Sequence, residues 1–273
     1  MSLAMSKWMS FCKPIQGNST QWVLLALGVL LTAVLGNLPV RADVLGIESK
    51  TRIIENEYNI KIHHNYDAKT FFPSRWLRSP ISARGKHLSA QEVARTLPII
   101  EEFLSVYPKR VLQGNLKSIY LLGELTFYGK SFGASNGNSG LYIKSRGADN
   151  GFTEAFLVSR MHSEFSSILM RNYSFPTQEW KNINRANFQY VGDGVQTLDQ
   201  PNQYGRTTEL LSGGFIVKYA QSSIENDFNM ISDWLFTRHD RLKKLADKFP
   251  RIDAKMRLAI KFYRSIDNRI TFD

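Results

Sequence analysis

The fold of this chain is decided by the stretch TEAFLVSRMHSEFSSILMRNY, residues 153–173. Leu157, Met161, Glu164 and Ile168 lie at i, i+4, i+7 and i+11, a spacing that places them on one side of a helix. A carboxylate on an otherwise apolar stripe costs free energy unless it is paired or bound to something. The pattern predicts a packed helix in which Glu164 is the most informative residue. Pairing of Glu164 with one of the many Arg or Lys residues is the ordinary alternative.

The residues before this helix predict a small sheet. Strand-forming residues with period-2 patterning indicate four strands. These are Tyr58–His63, Ser118–Leu122, Thr126–Phe132 and Leu141–Lys144. The run GASNGNSG, residues 133–140, predicts a flexible turn, because Gly, Asn and Ser favour turns and no Gly-Lys-Ser/Thr ending points to a phosphate loop.

The helical regions are marked by capping signals. Ser89 with Glu92 has capping-box spacing and opens a predicted helix, and Ser222 with Glu225 opens another. Residues 174–204 are predicted to be mostly loop. Two more helical stretches are predicted at about 238–248 and 252–267. The sequence therefore predicts an α+β fold with a small mixed sheet and a helical C-terminal half.

The N-terminal 42 residues have the pattern of a secretory signal. Lys7 and Lys13 precede the uncharged run WVLLALGVLLTAVLG at 22–36, and small residues end the segment at Ala42. The apolar run has fifteen residues, whereas a comfortable membrane span needs about 20. We expect a cleaved signal peptide over 1–42, with a retained membrane anchor as the alternative. The protein would then be secreted or held in the periplasm or cell envelope, and would contact a membrane only through an uncleaved segment.

The remaining chain, 43–273, is predicted to be a single domain without thiol chemistry. Cys12 is the only cysteine and lies in the leader, so no disulfide or cysteine-based metal site is expected after cleavage. The net charge of +11 would fall to +8, since Lys7, Lys13 and Arg41 leave 32 basic residues against 24 acidic ones. These bases are scattered and form no basic stripe of the kind that binds nucleic acid. The expected partner is a peptide or an envelope polymer.

Two segments resemble a known family. The string MHSEFSSIL at 161–169 resembles the active helix of the zinc-binding metallopeptidases of bacterial envelopes, in the zincin group. Their motif is His-Glu-x-x-His, in which two His hold zinc and the Glu activates zinc-bound water. The stretch GFIVKYAQSS at 214–223, followed by ENDF at 225–228, is similar to the family's Gly-Phe-x-x-x-Tyr-Ala segment and to the acidic helix that supplies its third ligand. The resemblance spans about 90–265. It implies a zincin-like fold, with Tyr219 beside the cleft.

The family's ligand positions are substituted in this chain. When the motif is aligned on Glu164, the two His positions fall on Ser163 and Ser167, and the third-ligand Glu falls on Asn226. Only the water-activating position, Glu164, is kept as the candidate catalytic residue. Neutral serine hydroxyls are poor zinc ligands beside imidazole or carboxylate. Zinc is the metal that the family implies, and the substitutions predict that none is bound.

A shifted ligand set is the alternative. His162 lies one residue from the expected position, and Glu225 and Asp227 flank Asn226. One residue turns a helix by about 100°, so these side chains could meet at a metal only if the helices were rotated relative to the family. Glu225 also has an ordinary structural role as the partner of Ser222 in a capping box.

Three functional hypotheses follow. The first is an exported domain of the metallopeptidase family that has a degenerate zinc site and binds a peptide or an envelope component. The second is an active zinc peptidase that uses His162, Glu164 and either Glu225 or Asp227. The third is a structural or adhesive envelope protein that acts through its basic surface. The second hypothesis predicts a chelator-sensitive activity, and the third predicts indifference to changes at Glu164.

Overall fold

The computed structural model describes residues 38–192, 194–197 and 201–272; for 38–44, 194 and 196 it describes only the backbone. The chain divides between Gly46 and Ile47, and both sheets lie in the unit that begins at Ile47. Residues 1–37 of the predicted leader lie outside the described residues, and residues 38–42 begin a helix. Among the described helices none is long and apolar enough to cross a membrane, and the apolar run 22–36 lies outside that search.

The described elements alternate early in the chain and become helical later. The helices are α1 (Leu38–Tyr58), α2 (Ala68–Phe71), α3 (Ala90–Ser105), α4 (Lys109–Asn115), α5 (Glu154–Asn172), α6 (Thr177–Ile183), α7 (Gly194–Thr197), α8 (Thr208–Ser212), α9 (Ile224–Thr237), α10 (His239–Ala246) and α11 (Pro250–Ile266). The strands are β1 (Lys61–His63), β2 (Arg84–Lys86), β3 (Ser118–Leu122), β4 (Glu124–Phe127), β5 (Lys130–Ser131), β6 (Ala134–Asn136) and β7 (Gly140–Lys144). Short 3-10 turns occupy Ala148–Asn150 and Lys218–Gln221.

Two small sheets precede the helical half. The larger has the order β1-β3-β7-β6; β1, β3 and β7 run parallel, and β6 pairs antiparallel with β7. Every residue of β7 is buried, as expected for an inner strand covered on both faces. The smaller sheet, β2-β4-β5, is antiparallel. The predicted α+β class, with small sheets and a helical C-terminal half, is confirmed.

The core is built on the apolar stripe of α5. Leu157, Met161 and Ile168 are fully buried, while Glu164 on the same side keeps partial exposure. Burial of one such apolar side chain contributes about 1.5–3 kcal/mol, so the stripe holds α5 firmly against its neighbours. The helix begins where the Thr153 hydroxyl accepts a hydrogen bond from the Phe156 amide. The predicted helix is confirmed.

Several local predictions were wrong. The strand predicted at Tyr58–His63 starts only at Lys61, because α1 runs through Tyr58. The segment Thr126–Phe132 is a hairpin of β4 and β5, and Tyr128 and Gly129 between them take positive φ angles. The run 133–140 contains a strand, β6, where only a turn was expected.

The cap of α9 also differs from the prediction. The capping hydroxyl belongs to Ser223 and accepts from the Asn226 amide at 3.0 Å. The predicted pair Ser222–Glu225 is therefore one residue out of register, and the Ser222 hydroxyl accepts from the Asn226 side chain instead, at 2.7 Å. The other predicted cap, Ser89, is confirmed by its hydrogen bond from the Glu92 amide. The loop predicted at 174–204 contains α6 and α7.

Candidate functional site

The two helices that carry the family motifs pack against each other. Arg171 of α5 pairs with Glu225 of α9 at 3.3 Å, and Arg160 of α5 pairs with Asp233 of α9 at 3.4 Å. The lower number on one helix meets the higher number on the other, so α5 and α9 run antiparallel. Glu164 lies between these two bridges on α5.

A buried polar contact joins the middle of the helix pair. The Ser166 hydroxyl donates to Asn229 Oδ1 at 2.6 Å, and Asn229 Nδ2 donates to the Ser167 hydroxyl at 2.7 Å. Asn229 therefore uses both ends of its carboxamide inside the interface, which satisfies groups that would otherwise be costly to bury. This contact sets the rotation of the two helices, so neighbouring residues on each helix face different environments.

A cleft of about 720 Å³ lies beside this helix pair. Six residues singled out by the sequence line it: Ser163, Glu164, Ser167, Tyr219, Glu225 and Asn226. Its opposite wall includes the whole of β6. The three substituted ligand positions and the candidate catalytic residue therefore share one cavity.

Glu164 is held at the cleft wall by strand β6. Asn136 Nδ2 donates to Glu164 Oε2 at 2.6 Å, and Arg171 donates to Asn136 Oδ1 at 2.6 Å. Burial raises the pKa of the Glu164 carboxyl, and the nearby Glu225 carboxylate adds to the rise. The Asn136 hydrogen bond and the positive charges of Arg160 and Arg171 oppose it. Glu164 is therefore more easily protonated than a surface glutamate.

Asn226 and Tyr219 form a neutral part of the lining. Asn226 Nδ2 donates to the Ser222 hydroxyl at 2.7 Å, and the Asn226 side chain is also hydrogen-bonded to the Tyr219 hydroxyl. Burial raises the pKa of Tyr219 well above its usual range, so its phenol stays protonated. Tyr204 packs against Tyr219 with ring centroids 5.9 Å apart. These groups offer hydroxyl and carboxamide contacts to a ligand.

His162 does not line the cleft. It is 1 % exposed, its Nδ1 is hydrogen-bonded to the Tyr107 hydroxyl at 2.8 Å, and its ring stacks on Phe236 at 4.6 Å. Burial lowers the pKa of His162 to about 3, so the imidazole is neutral. The structure does not bring His162 together with Glu164, its neighbour two positions along the helix.

Asp227 also faces away from the cleft, into an ion pair. Its Oδ2 accepts from Lys255 at 2.6 Å, from Tyr190 at 2.7 Å and from Trp180 at 2.9 Å. Burial raises the pKa of Asp227, and the Lys255 ammonium opposes the rise. Lys255 also donates to the carbonyl of Gly214 at 2.9 Å. Of the acidic side chains flanking Asn226, only Glu225 lines the cleft.

Gly214, the first residue of the Gly-Phe segment, has a structural reason to be glycine. Its φ of +91° is a conformation that other residues rarely adopt, and a Cβ atom there would lie 2.9 Å from the Cβ of Arg251 and 3.4 Å from Lys255 Nζ. Phe215 packs beneath the Lys255 ammonium, 3.9 Å from ring centroid to Nζ. This segment therefore supports the buried ion pair behind α9.

The sequence analysis missed several residues that line the cleft. They are Asn136, Arg160, Arg206, Asn229, Asp233, Trp234 and Arg238. Part of this set carried a detectable signal, because Asn229 and Asp233 follow Glu225 at intervals of four residues and so share its side of α9. Asn136 was missed because its segment, residues 133–140, was predicted to be a turn. Arg206 carried no signal, since it comes from a loop remote in sequence from both helices.

Comparison with known proteins agrees with the resemblance. Residues 51–265 match the family described as "Putative zinc-binding metallo-peptidase". The chain belongs to this family. Among solved structures, it is similar to a protein of this description from Bacteroides caccae, with 15 % identity and a TM-score of 0.51. That match covers 80 % of this chain and 85 % of the other. At this identity the likeness concerns the fold alone, and no curated protein sequence matches.

The family description implies zinc, and the side chains that line the cleft show whether they could bind it. A catalytic zinc takes three protein ligands from His, Cys, Asp or Glu. The described part of the chain has no group of three such side chains placed to hold a metal, and no histidine lines the cleft. The hydroxyls of Ser163 and Ser167 and the carboxamide of Asn226 are weak zinc donors. The lining does not fit zinc.

Proposed function

We propose that this protein is an exported member of the metallopeptidase family that binds a peptide in the cleft between β6, α5 and α9 without zinc-dependent hydrolysis. The observation that carries this proposal is that Ser163, Ser167 and Asn226 line one cleft together with Glu164. Ser163 and Ser167 of α5 and Asn226 of α9 all carry neutral hydroxyl or carboxamide groups, which supports this proposal. Export rests on the pattern of residues 1–42.

The alternative ligands on these helices are engaged elsewhere. His162 is buried against Tyr107 and Phe236, and Asp227 is buried against Lys255. Moving either side chain into the cleft would break these contacts and leave Tyr107 or Lys255 without its partner in the core. A buried polar group that loses its partner costs about 1–3 kcal/mol, and a buried charge costs more. These costs disfavour the shifted ligand set.

The shape of the cleft supports a peptide as the ligand. β6 is an edge strand of the larger sheet, so its outward backbone groups have no neighbouring strand among the described residues. An extended peptide can add to such an edge by main-chain hydrogen bonds, with pockets for alternate side chains. The volume of about 720 Å³ falls within the range of about 300–1,000 Å³ typical of ligand sites.

Zinc content tests the proposal directly. Protein purified at neutral pH without added metal is expected to hold well under one zinc ion per chain by elemental analysis. The matched positive control combines Ser163→His, Ser167→His and Asn226→Glu, which restores three ligands of the kinds that zinc prefers. This variant is expected to hold zinc close to 1:1. Stoichiometric, tightly held zinc in the unmodified protein would overturn the degenerate-site proposal.

Peptide cleavage assays test the same proposal from the side of activity. A broad peptide library is expected to remain uncleaved with or without added zinc, while some of its members bind. Cleavage that is abolished both by a chelator and by Glu164→Gln would instead support the shifted set of His162, Glu164 and Glu225 or Asp227. Salt-sensitive binding to acidic polymers that ignores Glu164→Gln would support the adhesive hypothesis.

A further inference from the structure

The two ends of the cleft differ in charge. Glu225 lies at one end of the cleft lining on α9, and Asp233 lies at the other end with Arg160 and Arg238. Glu164 lies between these ends, one turn from Arg160 on α5. Asp233 on α9 is eight residues beyond Glu225, which corresponds to about 12 Å along a helix at 1.5 Å per residue. A ligand that spans the cleft would therefore meet different chemistry at each end.

The basic end is organised around one buried tryptophan. The Trp234 ring is 6 % exposed, and the guanidinium carbons of Arg206 and Arg238 lie 4.9 Å and 5.7 Å from its centroid. Guanidinium groups stack well on an indole ring, and this contact orients them without neutralising their charge. We call Trp234 with Arg160, Arg206 and Arg238 the arginine end.

Among the described residues, Asp233 is the carboxylate in contact with the arginine end, and it cannot balance three cations. Asp233 is 2 % exposed and contacts Arg160 at 3.4 Å and Arg238 at 3.3 Å. It also accepts from the Thr237 hydroxyl at 2.9 Å. Arg206 has no ion pair or hydrogen bond among the residues that the structure describes. Asp233 and the three arginines together carry two excess positive charges, and the nearby Glu164 carboxyl, one turn from Arg160 on α5, has a pKa that burial raises.

The contacts of Arg160 also indicate that the positive charge at the arginine end is not fully paired. Its guanidinium contacts Asp233 at the long distance of 3.4 Å, and its Nε atom is buried without a hydrogen-bond partner in the described part of the chain. A long contact and an unused donor mean that Asp233 does not satisfy this guanidinium. The arginine end therefore has the charge and the free donors to hold one more anionic group.

We propose that the arginine end binds a carboxylate of the peptide, so that the cleft selects acidic ligands and sets their direction along β6. The inference rests on the proposed function, since it names which peptides that cleft takes. Guanidinium groups bind carboxylates by short, charge-assisted and often bidentate hydrogen bonds, and a preoriented arginine loses less freedom when it does so. Arg206, exposed and unpaired among the described residues, is the principal contact.

Fluorescence anisotropy with three labelled probes tests this inference. The probes are an alternating alanine–valine pentapeptide with a free C-terminal carboxylate, the same peptide as its C-terminal amide, and the amide with aspartate as the last residue. The unmodified protein is expected to bind at least one acidic probe about tenfold more tightly than the neutral amide, as one charge-assisted contact allows. The free-carboxylate and aspartate probes separate a main-chain carboxylate from a side-chain one.

Two charge-matched variants locate the effect. Arg206→Gln is expected to abolish the preference for the acidic probe. Arg206 is exposed and forms no ion pair among the described residues, so the substitution should leave the fold intact. Arg257→Gln removes the same charge from α11, where Arg257 is 69 % exposed and lies outside the cleft lining. This control is expected to keep the preference. Circular dichroism of both variants confirms that the fold is retained.

Each other outcome overturns the inference. Equal binding of the acidic and neutral probes, or a preference that survives Arg206→Gln, would remove the arginine end as a carboxylate site while leaving peptide binding intact. Equal loss of the preference in Arg257→Gln would reduce it to the overall charge. Absence of binding by all three probes would overturn the proposed function as well. Binding of an acidic polysaccharide such as polygalacturonate in their place, with the same dependence on Arg206, would exclude a peptide as the ligand.

Discussion

The core face and the cleft face of the α5–α9 pair differ in whether their polar side chains have buried partners. On the core face lie His162 and Asp227, two groups of kinds that can bind a metal, and each contacts a buried partner. On the cleft face, one residue away along each helix, lie Ser163 and Asn226, which are neutral. One residue rotates a helix by about 100°, so a single step in sequence exchanges a buried environment for a ligand-accessible one.

Two acidic residues on these helices, Asp227 and Glu164, show the same division. Asp227 and Glu164 both have raised pKa values because burial disfavours their charge. Asp227 is compensated by the Lys255 ammonium at 2.6 Å, whereas Glu164 has, among the residues that the structure describes, only the Asn136 carboxamide at hydrogen-bond distance. The carboxyl of Asp227 is therefore part of the structure, and that of Glu164 remains available to a ligand. The following changes test this contrast.

The largest effect is expected from Asp227→Asn. Loss of the carboxylate leaves the Lys255 ammonium buried without its counter-charge, which should lower the free energy of unfolding by about 3–5 kcal/mol in urea denaturation. Asp253→Asn is the control, since it removes an exposed pair with Arg257 and should cost at most about 1 kcal/mol. If Asp227→Asn is too unstable to measure, Asp227→Leu combined with Lys255→Met should restore much of the stability. A loss below about 1 kcal/mol would contradict the structural role.

An intermediate effect is expected at His162 and depends on pH. Its folded pKa of about 3 lies below the usual value of 6.5, so the folded state binds fewer protons than the unfolded state between these values. Its contribution to stability is complete above pH 6.5 and is lost as the pH falls towards 3, by up to about 1.4 kcal/mol per pH unit. Urea denaturation at pH 7 and pH 5 measures this decline.

His162→Phe should make that decline shallower. At pH 7 the variant should lose about 1–3 kcal/mol, because the buried Tyr107 hydroxyl loses its partner. Adding Tyr107→Phe removes that unpaired hydroxyl and serves as the control for the hydrogen bond. Identical pH slopes for the unmodified protein and His162→Phe would show that His162 is not buried in its neutral form.

The smallest effect is expected from Glu164→Gln. Because burial raises the pKa of Glu164 in the folded state, its buried charge destabilises the fold only at higher pH. This destabilisation is absent below the unfolded pKa and develops as the pH rises through the folded pKa. The neutral amide removes this cost, so the variant should be more stable at pH 7 by less than about 1 kcal/mol and unchanged at pH 4. Glu179→Gln, at an exposed pair with Lys261, is the control and should change stability by less than about 0.5 kcal/mol. A loss of stability at pH 7 would show that the anion is stabilised.

Local patterns predicted α3, α5 and the C-terminal helices, whereas α1, α4 and α6 were not predicted. The 3.6-residue period of α5 and the Ser89 cap of α3 depend on neighbours within a few positions, and the structure confirms both. β6 was missed because its three residues pair only with β7 and carry no period of their own. The α9 cap was assigned one residue early, because Ser222 and Ser223 are equally good capping residues by type. Only the backbone path at the start of α9 determines which hydroxyl accepts from the Asn226 amide.

By itself the sequence determined the family, the two helices that matter and the identity of the side chains at the ligand positions. These follow from residue type and spacing, which are local properties. The tertiary structure decided which of those side chains share the cleft and placed His162 and Asp227 in the core. It also added Asn136 and Arg206 to the cleft from distant segments. Rotation of packed helices and the approach of remote loops depend on the whole core, and no window of sequence contains them.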